Sequence, residues 1–133
     1  MMYLLDTDTV IYALKGHSAV VKNLDIHRYA PMRICVVTMM ELYYGAHKSQ
    51  QVAANLAKVR AVENGFDIIA VNDIVSETFG MLKAKMETKG QPLDDFDLVI
   101  GACALAHNLT LVTNNVKHFQ RIEGLRLENW AQS

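Results

Sequence analysis

Apolar positions in this chain fall into short runs that alternate with longer stretches of helical period. Met2-Tyr3-Leu4-Leu5 is a run that ends at an acid, and it reads as a buried strand. Residues 9–15 read as a helix stopped by Gly16, and residues 18–25 as a second short helix. Arg33-Ile34-Cys35-Val36-Val37 is a β-branched run that predicts the next strand. Thr38 then opens a helix to about Lys48. Residues 49–63 form another, with Asn64-Gly65 as its C-terminal stop. Asp67-Ile68-Ile69-Ala70-Val71 predicts a third strand. Asn72 caps a long helix to Lys89, closed by Gly90. After a loop at residues 91–94, residues 98–107 form a helix with almost no polar face, so it should be buried against a sheet. Thr110-Leu111-Val112-Thr113 is a fourth strand, residues 115–119 a helical turn, and Leu125-Arg126-Leu127 a short fifth strand.

Strands that alternate with helices predict an α/β fold of three layers. Its central sheet of four to five strands is mainly parallel, with helices on both faces. There is no repeat, low-complexity tract or linker, so residues 1–133 read as one domain. In such folds the site lies outside the carboxyl ends of the strands, where the strand order reverses.

Composition narrows the function. Half the residues are apolar and a fifth are charged, as in ordinary globular proteins. Thirteen Lys and Arg face fourteen Asp and Glu, a net charge of -1. That excludes nucleic-acid binding by bulk charge and leaves a local basic patch, a metal or a partner to do it. Lys15, Lys48, Lys83, Lys85, Lys117 and Arg121 are the candidates for phosphate contact. Cys35 and Cys103 sit in apolar runs without His or Cys neighbours at metal-ligand spacing, and read as buried thiols. The N-terminal apolar run is broken by Asp6 and Asp8 with no basic segment before it, and no window approaches a membrane span. A cytoplasmic protein is expected.

The acids fall where the strands end. Asp6 follows the first strand directly, Glu41 lies one helical turn after the second, and Asp97 opens the buried helix that leads into the fourth. Asn115 comes two residues after that strand. A parallel sheet puts all four on one edge. Each also has a purely structural explanation. Asp6 suits a helix N-cap, Thr38-Met39-Met40-Glu41 matches a capping box, Asp97 suits a first helical turn, and Asn115 suits a turn. Together, however, carboxylates at one edge repel one another and raise each other's pKa values. A divalent cation relieves that repulsion. Magnesium takes one or two carboxylates plus water and holds substrate phosphate, which implies metal-assisted phosphodiester hydrolysis.

No other catalytic set competes well. His17, His27, His47, His107 and His118 lack metal-ligand spacing and should mostly be at the surface; there is no P-loop and no G-x-S-x-G. Two rival readings stand. Asp6-Thr7-Asp8-Thr9-Val10 after an apolar strand fits a haloacid-dehalogenase-type phosphatase, with Asp6 as nucleophile, Asp8 as general acid and Thr38 in a supporting motif. A non-catalytic domain that binds only RNA and a protein partner is the other.

Several segments resemble one family. Tyr3-Leu4-Leu5-Asp6-Thr7-Asp8, Thr38-Met39-Met40-Glu41-Leu42-Tyr43-Tyr44-Gly45, Asp97-Leu98-Val99-Ile100-Gly101-Ala102 and Leu111-Val112-Thr113-Asn114-Asn115 occur in the order found in VapC-type toxins. These are PIN-domain ribonucleases of bacterial toxin–antitoxin pairs. Gly124-Leu125 and Asn129-Trp130 resemble the family's ending. The resemblance implies an acidic magnesium site (manganese being the alternative) at Asp6, Glu41 and Asp97. Asn115 is then a fourth, neutral position that orients a water or a carboxylate, and Thr113 supports the site by hydrogen bonding. It also implies a homodimer, a VapB-type antitoxin that blocks the site, operator DNA contacted only through that antitoxin, and structured RNA, often transfer RNA, as substrate. Asp8 stands where the family often has Asn, Asp94 and Asp95 where neutral residues are common, and Gly101 where Ala is common. Spacing to Ile100 and Ala102 favours Asp97 over Asp95 as the third acid.

Overall fold

The structure, a computed structural model, describes residues 1–132. Its strands are β1 (Tyr3–Leu5), β2 (Met32–Cys35), β3 (Asp67–Ile69), β4 (Thr110–Val112) and β5 (Leu127–Glu128). They form one sheet in the order β3-β2-β1-β4-β5, and every pairing is parallel. Parallel neighbours need long crossovers. These are supplied by α1 (Thr7–Leu14), α2 (Ser18–Ile26), α3 (Val36–Lys48), α4 (Val52–Gly65), α5 (Asp73–Thr88), α6 (Asp95–Ala106) and α7 (Val116–Phe119).

The two-residue alternation of the strands divides the core into two layers. Leu4, Cys35, Ile69 and Leu111 face one way, onto Val75, Leu82 and Met86 of α5, the apolar length of α6, and Phe119. Tyr3, Leu5, Ile34 and Val112 face the other way, onto Val10 of α1, Met39 and Leu42 of α3, Val59 and Val62 of α4, and Trp130. Helix α6 is buried along nearly its whole length, as its missing polar face requires. Cys35 and Cys103 are buried and unbridged. No helix among the described residues is long and apolar enough to cross a membrane.

Helix ends follow local chemistry where the sequence supplies it. Gly16 and Gly90 adopt left-handed backbone (φ 75° and 67°) just past α1 and α5. That lets His17 N–H reach the Tyr12 carbonyl (2.9 Å) and Gln91 N–H the Met86 carbonyl (2.9 Å). Asn72 accepts from Val75 N–H at 3.1 Å and caps α5 as expected.

One expectation fails. The second strand stops at Cys35, and Val36 and Val37 already belong to α3. Their β propensity yields to burial, because the helical turn buries both Val37 and Thr38. Thr38 is therefore interior to the helix and is no N-cap. Helix α4 does end at Gly65, where the stop was expected, but Gly65 takes no left-handed turn: Phe66, half-buried against the core, follows in extended backbone.

Candidate active site

Strand β1 lies at the centre of the sheet, with β2 on one side and β4 on the other, so the chain order reverses between β1 and β4. Leu5 pairs in register with Val112. The next residues on each strand, Asp6 and Thr113, are consequently neighbours at the crevice where such folds bind ligands.

Asp6 is only 6% exposed. It caps α1, accepting from Thr7 N–H at 2.8 Å through Oδ1 and from the Thr113 hydroxyl at 2.7 Å through Oδ2. Burial, followed by the charges of Asp8 and Asp97, outweighs these bonds and pushes its pKa up to about 7. Asp8, one residue into the same helix, accepts from Asn114 N–H at 3.1 Å, and burial raises its pKa too. Glu41 reaches the crevice from α3 and accepts from the Thr7 hydroxyl at 2.6 Å; the buried Thr38 hydroxyl lies 3.0 Å from that of Thr7. Burial raises the Glu41 pKa, and Asp97, Asp94 and Asp8 add to the rise. Asp97 enters from the first turn of α6, with His118 Nε2 at 3.1 Å from its Oδ2. Burial raises it, against the lowering effect of His118.

Of the residues singled out from the sequence, Asp6, Glu41 and Asp97 thus come together. The capping-box explanation of Glu41 is overturned, since Cys35 occupies the N-cap of α3. Asp95 turns away to Lys83 at 3.0 Å, and Asp94 caps α6 by accepting from Phe96 N–H. This leaves Asp97 as the acid of that segment that faces Asp6. Asn115 is exposed. It contributes its backbone N–H, which donates to the Thr113 hydroxyl at 3.0 Å, and its side chain makes no hydrogen bond among the described residues. Thr113 is fully buried between Asp6 and Asn115.

Sequence reasoning missed two participants. Asp8 belongs to the acidic cluster through its bond across the crevice. His118, one of five histidines expected to lie mostly at the surface, is half-buried against Asp97. Neither contact is local, so only the fold makes them visible. Among the basic candidates, Lys83 and Lys85 are held by Asp95 and Glu123. Lys48 lies over the Tyr44 ring. Lys15 lines a groove of about 380 Å³ between α1, α3 and α4, whose apolar walls (Ile11, Leu14, Leu42, Val59) lead to Glu41. Lys117 lies beside Asn114 at the rim of a second, polar hollow.

The donor set suits a hard cation. Every acid in the cluster offers oxygen, and three elements contribute carboxylates whose ionisation is suppressed first by burial and then by neighbouring acids. Among the described residues no group of three or more His, Cys, Asp or Glu side chains is already placed to hold a metal ion. Magnesium needs no such preformed group, since it retains several waters and binds through one or two carboxylates. The phosphatase reading fails on the same geometry. Thr38, its supporting residue, is fully buried inside α3, and Asp8 is engaged with Asn114 instead of facing open space beside Asp6.

Comparison with known proteins agrees with the geometry. The PIN domain family matches residues 3–125. The chain is 34% identical to the tRNA(fMet)-specific endonuclease VapC of Shigella flexneri, over 98% of this chain and 99% of that one. It is 36% identical to the ribonuclease VapC2 of Rickettsia felis, over 98% of each chain. Its fold superposes, with a TM-score of 0.90 and 35% identity, on a chain of the Rickettsia felis VapBC2 complex bound to a promoter DNA fragment, covering 98% of this chain and 99% of that one.

Proposed function

This chain belongs to the PIN-domain family of VapC ribonucleases, and from that premise we propose that it cuts RNA with a divalent metal, as the toxin of a toxin–antitoxin pair. The metal is magnesium, with manganese as substitute. One observation carries the reading. Carboxylates from α1, α3 and α6 meet at the β1/β4 crevice with their ionisation suppressed, and a bound cation is what would let them ionise together.

Asp6, Glu41 and Asp97 would hold the ion, with Asp8 as a further oxygen donor at its edge. Bound there, a divalent cation supplies Lewis acidity toward water and phosphate. The chain's own residues do the rest. Thr113 and Thr7 N–H fix the Asp6 carboxylate, Thr7 fixes Glu41, and Asn115, exposed at the rim, is free to orient a water or a phosphate oxygen. Lys15, in the groove that ends at Glu41, and Lys117, beside Asn114, attract the RNA backbone.

The RNA is structured, with transfer RNA the first candidate, as in the name of the Shigella relative. The partner is a VapB-type antitoxin, as in the Rickettsia complex. The apolar groove that ends at Glu41 offers it a path to block the site. With a net charge of -1, the chain reaches operator DNA only through that partner. It works as a homodimer in the cytoplasm. The experiment is incubation of the purified protein with total bacterial transfer RNA, followed by mapping of the new ends. One or a few discrete cuts support the reading. Intact RNA, or cuts without preference, oppose it.

A further inference from the structure

We propose that His118 is a positioning residue that holds Asp97 in the geometry the metal needs; the proposal rests on the metal reading of the site above. The other acids are each fixed by neutral donors. Asp6 has Thr7 N–H and the Thr113 hydroxyl, Asp8 has Asn114 N–H, and Glu41 has the Thr7 hydroxyl. Asp97 has no such donor on its own helix. Among the described residues its one hydrogen-bond partner is His118, whose Nε2 lies 3.1 Å from Oδ2. Once a cation holds Asp97 ionised, its carboxylate only accepts, so Nε2 is then the donor of this contact. This contact occupies Oδ2 and leaves Oδ1 for a cation.

The imidazole is itself held in place. Its neighbour Phe119 is buried in the core, and the two rings meet edge to face at 5.8 Å and 90°. The Asn115 carbonyl accepts from the N–H groups of both His118 (3.1 Å) and Phe119 (3.2 Å). Asn115 N–H in turn donates to Thr113, and Thr113 donates to Asp6. A segment of seven residues, 113–119, therefore grips Asp6 at one end and Asp97 at the other. Asp6 stands just before α1 and Asp97 in the first turn of α6, so the strap links two acids carried by separate elements. Hydrogen-bonded supports of this kind are worth 10- to 100-fold in metal affinity or activity at known metal sites.

The test compares wild type, His118→Ala and His118→Gln. Mn2+ binding is measured by calorimetry without RNA, alongside the far-ultraviolet circular dichroism of each protein. The Gln amide can donate to Oδ2 from nearly the same place as Nε2, whereas Ala cannot. We expect His118→Ala to keep its fold and bind Mn2+ roughly 10- to 100-fold more weakly, and His118→Gln to recover most of the loss. Cleavage by the Ala variant should recover in part as Mn2+ is raised. A folded Ala variant that binds Mn2+ like wild type overturns the proposal. So does a Gln variant no better than Ala, which would show that packing of the ring matters and the donated proton does not. Wild type that binds no Mn2+ overturns the metal reading itself.

Discussion

Replacing Asp6 by Asn should abolish the activity yet stabilise the metal-free protein. The carboxyl group of Asp6 is nearly buried, and its pKa is pushed from 3.8 to about 7, first by burial and then by Asp8 and Asp97. The folded state therefore binds more protons than the unfolded chain between those two values, so stability falls as pH rises through that window. Above it the full penalty applies. Roughly three pKa units at 1.36 kcal/mol each give about 4 kcal/mol, a ceiling because relaxation and water entry soften buried charge. Asn carries no charge to penalise. Its amide oxygen can still accept from Thr7 N–H, and its amide can pair with the Thr113 oxygen, so the cap survives. The assay is urea unfolding in EDTA from pH 4 to pH 8. The variant should match wild type near pH 4 and exceed it by about 2–4 kcal/mol at pH 8, as this linkage requires. Excess magnesium should narrow the gap by stabilising wild type alone. An Asn variant that is less stable than wild type at pH 8, or a difference that does not vary with pH, would refute the reasoning.

Two further outcomes follow from packing and charge. A Cβ at Gly101 of α6 would lie 2.6 Å from Cδ1 of the buried Ile122. Gly101→Ala should therefore lose about 1–2 kcal/mol despite its better helix propensity. Ile122→Val, which removes that atom, should be less harmful in the Ala background than alone; strict additivity in a double-mutant cycle would contradict this. Lys117 and Arg121 are exposed and make no ion pair among the described residues. Neutralising both should weaken RNA binding and lower its salt slope by roughly 2, whereas unchanged affinity and slope would place the RNA elsewhere.

Much of this site could be read without a structure because its geometry is tied to strand ends. Once Tyr3-Leu4-Leu5 and Thr110-Leu111-Val112 are parallel neighbours, Asp6 and Thr113 must share an edge. The apolar run of residues 98–106 could only be an interior helix, and that orients Asp97. What stayed hidden depends on contacts between elements. The start of α3 hinged on whether Val36-Val37 continued a strand or packed as a helix, and tertiary burial decided it. Spacing to Ile100 and Ala102 already favoured Asp97 over Asp95, but not the partners the two acids take, Lys83 for Asp95 and His118 for Asp97. His118 and Asp97 are 21 positions apart, and Asp8 meets Asn114 across 106. No local spacing announces either pair. Gly101, which departs from the family's common Ala, is explained only by the approach of Ile122.

The most direct test of the central claim is a magnesium titration of RNA cleavage by wild type and Asp6→Asn side by side, with EDTA as the zero point. The account predicts cleavage by wild type that rises and saturates with magnesium, none in EDTA, and none by the Asn variant at any concentration. Cleavage by wild type in EDTA, or a variant that cuts as well as wild type, would contradict it.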